Sequence, residues 1–349
     1  MKNLFNNAEL WYTLSIMKIS SLLNLALFTA GFAFASSNVV DTVKTESAKS
    51  VVSTNSPSPY CNFYGKDVKT VGVVSVSSIA NKKILNNSIG KIKSAGYKVK
   101  VAPNVYGPER ASAEVRARAF EEAWLDPEID ILVFSIGGQG AVDVVKIIDW
   151  EKLRARNDMR VIGFSDVTFI VNTMLFKGVG HPMSGLNLFN IGMNKHTDAS
   201  REWYRKTLNG EELPKKTLKV VKPSNEDVSG LGMAGLLERF VRLEEMGLLP
   251  DMTGRIVFIE SLDSHKKSAR KNLMLLLEKG VFDKASAVVF GDFQVAEGAK
   301  ATLAEFAKAV KCPVFSGFKY GHIKGGLLID FQRKYFISPT GILTSPANN

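Results

Sequence analysis

A glycine-rich turn between a strand and a helix is the segment of this sequence whose residue types and spacing most clearly suggest chemistry. The turn consists of Gly137, Gly138, Gln139, Gly140 and Ala141. It follows the apolar run 129–135, which predicts a buried parallel strand, and it precedes a predicted helix start at 141–145. Glycine lets the backbone approach a ligand closely and direct free N–H groups at it. The sequence therefore predicts a turn that binds an oxyanion or another anion.

Two titratable side chains in the C-terminal half have the types that a hydrolytic site needs. Hydrolysis of an amide by a serine requires a nucleophile, a base, a group that orients the base, and donors for the oxyanion. Glu260 ends the apolar strand 256–259, where a carboxylate can orient an imidazole; a surface glutamate that caps the next helix is an equal interpretation. His322 lies in a Gly-His turn, but a lone histidine is more often structural than catalytic.

Five motifs occur in the order and approximate spacing of one known family. They are residues 137–141 (Gly-Gly-Gln-Gly-Ala), 148–150 (Ile-Asp-Trp), 162–168 (Ile-Gly-Phe-Ser-Asp-Val-Thr), 256–260 (Ile-Val-Phe-Ile-Glu) and 317–322 (Gly-Phe-Lys-Tyr-Gly-His). Each motif alone is weak, but the ordered set is specific. Over residues 68–335 the chain resembles the LD-carboxypeptidase family of serine peptidases, which also includes the microcin-immunity peptidases.

The resemblance implies a charge-relay pair and a missing nucleophile. In the family the glycine turn ends in a serine that attacks the amide carbonyl, whereas this chain has Ala141 at that position. Glu260 and His322 match the family's general-base partners, which favours the catalytic interpretation of both. Because a methyl group cannot attack a carbonyl, impaired or lost catalysis is expected.

Serines elsewhere in the chain are not expected to replace the nucleophile. Ser135 precedes the glycine turn, and Ser165 belongs to a neighbouring strand-to-helix turn. The resemblance implies that Ser165 and Asp166 shape the pocket beside the glycine turn. An equally good interpretation is that Asp166 is a plain N-cap for the next helix and that Ser165 supports it.

Two functions are therefore expected as alternatives. The first is an exported, LD-carboxypeptidase-like serine peptidase with impaired or lost catalysis, which would cleave the amide before the C-terminal residue of peptidoglycan-type L,D-peptides. The second is a non-catalytic pseudoenzyme that binds such peptides on the same scaffold. The resemblance implies a peptide or muropeptide ligand and a homodimer. The sequence contains no metal-ligand motif, phosphate loop or dinucleotide fingerprint, so no metal or cofactor is expected.

The alternation of strands and helices predicts an α/β fold whose parallel sheet is covered on both faces. An N-terminal, Rossmann-like α/β sandwich is expected at 67–184 and contains the glycine turn. An interdomain crossover is expected at 185–230, and a smaller C-terminal α/β domain at 231–340 contains Glu260 and His322. Ligands bind beyond the carboxyl ends of parallel strands, so the glycine turn and the 165–166 turn should share one rim.

The N-terminal segment has the pattern of a secretory signal. A lysine at position 18 is followed by the apolar run 22–34 and by a small-residue cleavage site at 33–35. Residues 1–35 are interpreted as a signal peptide, with Met17 as an alternative start; an interfacial anchor or a buried helix is the competing interpretation. Residues 36–66 are interpreted as a linker because most of them are polar and lack periodicity. A secreted or periplasmic location is expected.

The charge balance, the cysteines and the remaining histidines add further expectations. The formal net charge of +11 favours contact with the cell wall or an anionic membrane, or simply keeps the protein soluble, while the scattered lysines argue against nucleic-acid binding. Cys61 and Cys312 can pair only if their Cα atoms come close; otherwise Cys61 is near solvent and Cys312 is buried. His181 is interpreted as structural, and His196 and His265 as surface residues.

Overall fold

The computed structural model describes residues 57–262, 266–293 and 299–348 of this chain. The predicted signal peptide, residues 36–56 of the predicted linker and His265 lie outside the described residues. The described residues belong to one compact unit. Within the described ranges, no helix is long and apolar enough to cross a membrane.

The secondary structure alternates between strands and helices for most of the chain. The strands are β1 (Thr70–Val74), β2 (Lys98–Val101), β3 (Ile131–Phe134), β4 (Arg160–Gly163), β5 (His181–Ser184), β6 (Lys216–Thr217), β7 (Lys219–Lys222), β8 (Val228–Leu236), β9 (Arg255–Ser261), β10 (Ala287–Phe293), β11 (Val314–Ser316), β12 (Ile329–Asp330), β13 (Lys334–Ile337) and β14 (Ile342–Thr344). The α-helices are α1 (Lys82–Ser94), α2 (Ala113–Leu125), α3 (Ala141–Val144), α4 (Trp150–Leu153), α5 (Thr168–Lys177), α6 (Phe189–Gly192), α7 (Asp198–Leu208), α8 (Leu237–Glu245), α9 (Lys266–Glu278) and α10 (Ala299–Ala309). Short 3-10 turns occur at Pro103–Val105, Arg154–Arg156 and Ser165–Val167.

The first sheet has six strands in the order β12-β5-β4-β3-β1-β2. All neighbours are parallel except β12, which runs antiparallel to β5. The central strands β1 and β3 are buried at every position and apolar except at Thr70, which is the pattern of a parallel sheet covered on both faces. Gly72 in β1 lets Leu132 and Ile129 pack directly against the backbone, because a Cβ there would overlap with both side chains.

The second sheet has eight strands in the order β6-β14-β13-β8-β9-β10-β11-β7. Its core, from β8 to β11, is parallel, and antiparallel strands flank this core on both sides. The predicted α/β class, with a parallel N-terminal sheet and a second α/β layer, is confirmed. Because β12 follows β11 in the chain but pairs in the first sheet, the C-terminal part of the sequence contributes a strand to the N-terminal sheet. The domain boundaries at 184 and 231 stay predictions.

Two predicted irregular segments are more ordered than their composition indicated. Residues 57–66 of the predicted linker place Tyr60, Phe63 and Tyr64 in the core, because their aromatic rings offer a large apolar area to bury. The predicted crossover, 185–230, contains α6, α7, β6 and β7. Helix α7 starts with a capping box at Thr197, a local signal that its polar surroundings obscured.

Candidate active site

Ser165 lies at the apex of a tight strand-to-helix turn. Strand β4 ends at Gly163, Ser165 follows after one extended residue, and α5 begins at Thr168. Ser165 has a φ of 66°, a left-handed conformation that is uncommon for a residue with a side chain. A Cβ at Gly163 would overlap with Val167, so only glycine permits this sharp turn. Strained serines of this kind present their hydroxyl to a cleft in hydrolases.

His322 connects Ser165 to Glu260. Its Nε2 atom is 2.9 Å from the Ser165 Oγ atom, and its Nδ1 atom is 2.8 Å from the Glu260 Oε2 atom. The imidazole also packs on the Phe164 ring, with 4.5 Å between ring centroids. Gly321, with a φ of 128°, precedes the histidine, and a Cβ at this position would lie 3.2 Å from Glu260 Oε2. The backbone therefore brings the imidazole against the carboxylate because residue 321 is glycine.

Glu260 is fully buried at the end of β9. Burial raises the pKa of its carboxyl, and the hydrogen bond and charge of His322 oppose that rise. Its Oε1 atom has no hydrogen-bond partner among the described residues. A buried carboxylate paired with one imidazole nitrogen orients the ring and stabilises its protonated form. The alternative interpretation of Glu260, a surface residue that caps a helix, is wrong.

The glycine turn lies directly beside Ser165. A Cβ at Gly137 would be 2.8 Å from the Ser165 Cβ atom, so glycine is required for this approach. The loop after β1 holds the turn, because Ser78 N–H donates to the Gly137 carbonyl at 3.2 Å and Ser78 Oγ accepts from Gln139 N–H at 3.1 Å. Within the described part of the chain, the Gly138 N–H has no intramolecular acceptor. The prediction that the glycine turn and the 165–166 turn share one rim agrees with this geometry.

Ala141, the predicted position of the missing nucleophile, begins helix α3 beside the Ser165–Asp166 turn. Its side chain is completely buried, and its N–H donates to the Asp166 Oδ2 atom at 2.9 Å. Both nitrogens of His322 are already engaged, one by Glu260 and the other by Ser165. The imidazole therefore faces Ser165, while the expectation that position 141 carries the missing nucleophile stays a prediction. The expectation that Ser165 shapes the pocket did not include its hydrogen bond to His322.

Asp166 joins the nucleophile turn to three other segments. Its Oδ2 atom accepts from Ser77 Oγ at 2.8 Å and from Ala141 N–H, and its Oδ1 atom accepts from Arg239 Nε at 3.0 Å. The side chain is buried, and the residue before α5 is Val167, so the interpretation of Asp166 as a plain helix N-cap is wrong. Sequence reasoning missed Ser77 and Arg239, because no local pattern links either residue to position 166.

Sequence reasoning also missed the contact between Ser165 and His322, although a signal was present. The segment Gly163-Phe164-Ser165-Asp166 has glycine two residues before a serine, between a buried strand and a helix. This is the strand-turn-helix context in which hydrolases place a nucleophile. The glycine-rich run at 137–141 also lies between a strand and a helix, so the nucleophile position was assigned there.

The remaining histidines and the cysteines lie outside this site. His181 Nε2 is 2.6 Å from Asp330 Oδ1 and links β5 to β12, which agrees with a structural role. His196 is buried, and burial, with a smaller contribution from Arg201, lowers its pKa to about 3, so the expectation of a surface residue is wrong. Cys61 is exposed and Cys312 is buried, and they are not bonded to each other.

Comparison with known proteins identifies the family. A sequence model of the LD-carboxypeptidase N-terminal domain matches residues 71–182, and a model of the LD-carboxypeptidase C-terminal domain matches residues 229–333. A putative carboxypeptidase of Streptomyces coelicolor is 25% identical over 225 residues, which cover 62% of this chain and 71% of the relative. The murein tetrapeptide carboxypeptidase of Pseudomonas aeruginosa is 24% identical over 227 residues, which cover 60% of this chain and 73% of that protein.

Solved structures show the same fold. The muramoyltetrapeptide carboxypeptidase from Oxalobacter formigenes superposes with a TM-score of 0.71 at 22% identity, over 79% of this chain and 97% of that structure. The two family domains together span more than half of the sequence and contain Ser165, Glu260 and His322. The chain therefore belongs to the LD-carboxypeptidase family.

Proposed function

We propose that this protein is a catalytically competent serine peptidase of the LD-carboxypeptidase type. Ser165 is the nucleophile, His322 is the general base and Glu260 orients the imidazole. The observation that carries this proposal is the continuous hydrogen-bonded chain from Ser165 Oγ through His322 to the buried Glu260 carboxylate. The left-handed backbone at Ser165 supports it, because such strain is commonly found at reacting residues.

The first half of the reaction forms an acyl-enzyme. His322 Nε2 accepts the Ser165 Oγ proton while Oγ forms a bond to the carbonyl carbon of the substrate, and the carbonyl oxygen becomes an oxyanion. Glu260 stabilises the imidazolium through the Nδ1–H group. The tetrahedral intermediate then collapses, the C–N bond breaks, and the leaving amine takes the proton from His322.

The second half of the reaction restores the enzyme. A water molecule loses a proton to His322 and attacks the ester carbonyl, and the Ser165 Oγ atom leaves and recovers that proton. Both tetrahedral intermediates carry an oxyanion that needs N–H donors. We assign this role to the N–H groups of Gly138 and Asp166, because both residues flank the serine. Asp166 is the second residue of a 3-10 turn, where N–H groups have no acceptor within the turn.

The substrate class follows from the family and from the names of the relatives. LD-carboxypeptidase domains span both sheets, and one relative is named a murein tetrapeptide carboxypeptidase. We propose that this chain cleaves the amide before the C-terminal residue of a peptidoglycan-type L,D-peptide. The released product would then be a single amino acid.

The expected loss of catalysis depended on Ala141 as the replaced nucleophile, whereas the present proposal assigns the nucleophile to Ser165. The alternative of a non-catalytic peptide-binding protein becomes an outcome of the test. The test is turnover of a synthetic murein tetrapeptide ending in D-alanine, with release of D-alanine measured for the wild type and for Ser165→Ala. Turnover by the wild type that Ser165→Ala abolishes supports the proposal. A folded wild type that binds the peptide without turnover supports the binding protein instead.

Export and assembly are separate proposals. We propose that the chain is exported, on the basis of the signal pattern within residues 1–35, and that it acts in the periplasm or outside the cell. N-terminal sequencing of the mature protein, with cleavage after Ala35 expected, tests export. A homodimer is proposed from the family resemblance alone, and light scattering of the purified protein tests it. The net charge of +11 supports contact with an anionic wall polymer, which sedimentation with purified cell walls tests.

A further inference from the structure

A group of arginines surrounds the glycine turn on the side away from Ser78. Arg110 donates to the Gln139 carbonyl at 2.9 Å, Arg116 donates to the Gly140 carbonyl at 2.9 Å, and Arg239 donates to the Gly138 carbonyl at 3.3 Å. Three successive carbonyls of one turn therefore each accept a hydrogen bond from a different guanidinium group. The mechanism proposed above uses none of these charges.

Arg110 and Arg116 bind backbone carbonyls at this turn, and the nearest carboxylates are Asp143, Asp166 and Glu114. Arg116 is buried, and its acceptors among the described residues are backbone carbonyls. Arg110 is exposed, and it likewise donates to a backbone carbonyl. A Cβ built at Gly140 would lie 2.8 Å from Arg110 Nη1 and 3.0 Å from Arg116 Nη1, so the two guanidinium groups face each other across one backbone position. Like charges held this close favour the binding of an anion.

Arg239 is the member of the group that contacts both turns around the nucleophile. Its Nε donates to the Asp166 carboxylate, and Asp166 directly follows Ser165. Its Nη2 donates to the Gly138 carbonyl, and Gly138 directly follows Gly137, which lies against Ser165. Its Nη1 group has no acceptor in the described part of the chain. The side chain is 25% exposed and lies against Phe169, in the wall of an open cavity of about 350 Å³ that Arg110 also lines.

A peptidase that removes one C-terminal residue needs a group that recognises the free terminal carboxylate near the scissile amide. In a substrate that loses one C-terminal residue, the terminal carboxylate is separated from the reacting carbonyl carbon by only the amide nitrogen and one Cα atom, or about 4 Å. A group that recognises this carboxylate must therefore lie close to Ser165. Arginine is well suited, because its planar fork presents paired donors to both carboxylate oxygens.

We propose that Arg239, supported by Arg110, binds the free terminal carboxylate of the substrate and makes the enzyme selective for cleavage of the last residue. This inference rests on the proposed function, since it assigns a recognition residue within the same site. Arg239 holds Asp166 and Gly138 through two of its nitrogens and offers the third to the substrate. Arg239 would thus both select substrates with a free C-terminus and position the turn that carries the nucleophile.

The test compares a murein tetrapeptide ending in D-alanine with the same peptide ending in D-alanine carboxamide. Binding is measured by calorimetry on Ser165→Ala, which cannot turn the peptides over, with and without Arg239→Gln. We expect Ser165→Ala to bind the free acid roughly 10- to 100-fold more tightly than the amide, which is the size of a charge-assisted hydrogen-bond pair. We expect Arg239→Gln to reduce that ratio towards one.

Turnover gives the second measurement. In the enzyme that keeps Ser165, Arg239→Gln lowers kcat for both peptides if the substitution disturbs Asp166. Only a role of Arg239 in carboxylate recognition changes the ratio of kcat/KM for the acid to kcat/KM for the amide. Arg242→Gln is the matched control, because Arg242 lines the same cavity and pairs with Glu245 at 2.8 Å. Its acid-to-amide ratio should equal that of the wild type.

The outcomes separate the two proposals. Failure of the wild type to turn over either peptide contradicts the proposed function, while the binding ratio on Ser165→Ala still decides the inference. Equal binding of acid and amide, weak binding of both, or a preference that Arg239→Gln leaves intact would overturn the assignment of Arg239. A preference that is lost in Arg239→Gln and kept in Arg242→Gln supports it.

Discussion

The Ser165 Oγ atom lies 2.9 Å from His322 Nε2, although the two residues are 157 positions apart in the chain. The two residues come from different sheets of the fold, since Ser165 follows β4 and His322 follows β11. The contact therefore depends on the packing of the first sheet against the second. Substitutions of the site residues, and of the residues that position them, should separate the chemical role of each residue from its structural role.

The role of Glu260 can be tested by removal of its charge. Glu260→Gln keeps the size of the side chain but provides no carboxylate to hold the imidazole in the required tautomer. In a comparable triad such a change lowers kcat by about 10⁴-fold, and we expect a loss of roughly 10³- to 10⁴-fold here. Release of D-alanine from the tetrapeptide measures it. The exposed Glu226→Gln is the control, and a Glu260→Gln variant with near wild-type kcat would contradict the assigned role.

A serine introduced at position 141 should not act as a nucleophile. Ala141 is completely buried and His322 Nε2 is already hydrogen-bonded to Ser165, so the proposed mechanism leaves no free base for a hydroxyl in Ala141→Ser. We expect no gain in turnover, no rescue in the Ser165→Ala background, and a loss of roughly 1–3 kcal/mol of unfolding free energy from burial of a hydroxyl. Urea denaturation and the D-alanine assay measure both effects. Rescue of Ser165→Ala by Ala141→Ser would restore the original assignment.

The sharp turn before Ser165 should depend on Gly163. In Gly163→Ala the new Cβ would overlap with Val167 and Phe134, so the turn must shift. Overpacking of this kind costs about 1–3 kcal/mol of stability, and the shift should lower kcat as well. Gly90→Ala, within α1 and with no atom near the new Cβ, is the matched control and should stabilise the protein by about 0.5–1 kcal/mol. Equal effects of the two substitutions would contradict the steric argument.

Buried His196 should make stability depend on pH. Its pKa is lowered to about 3 in the folded protein, mainly by burial, whereas an unfolded histidine titrates near 6.5. Between these values the unfolded state binds more protons, so the free energy of unfolding should fall by about 1.4 kcal/mol per pH unit as the pH drops below 6.5. Urea denaturation at pH 7 and pH 5 measures the slope. His196→Gln should remove this contribution, and an unchanged slope in that variant would contradict it.

Local patterns in the sequence predicted the architecture, and the family resemblance predicted half of the site. Apolar runs such as 131–134 and 256–259 form buried parallel strands, because a strand that is buried on both faces is a nearly continuous apolar run in the sequence. Glu260 and His322 were recognised from the family resemblance, since local sequence left their roles open. Ser165 was assigned a lesser role, because two glycine-containing turns compete in sequence and only the tertiary position of His322 distinguishes them. Arg239 likewise meets Asp166 across 73 positions, a separation that no local pattern encodes.

The identity of the nucleophile is the central claim, and covalent labelling tests it most directly. The purified protein would be incubated with a serine-reactive fluorophosphonate, digested, and analysed by mass spectrometry to locate the adduct. We predict one adduct on Ser165, lost in Ser165→Ala and strongly slowed in Glu260→Gln, since the hydroxyl needs the oriented imidazole to react. A protein that stays unlabelled at Ser165, or that is labelled equally in the Ser165→Ala variant, would contradict the account.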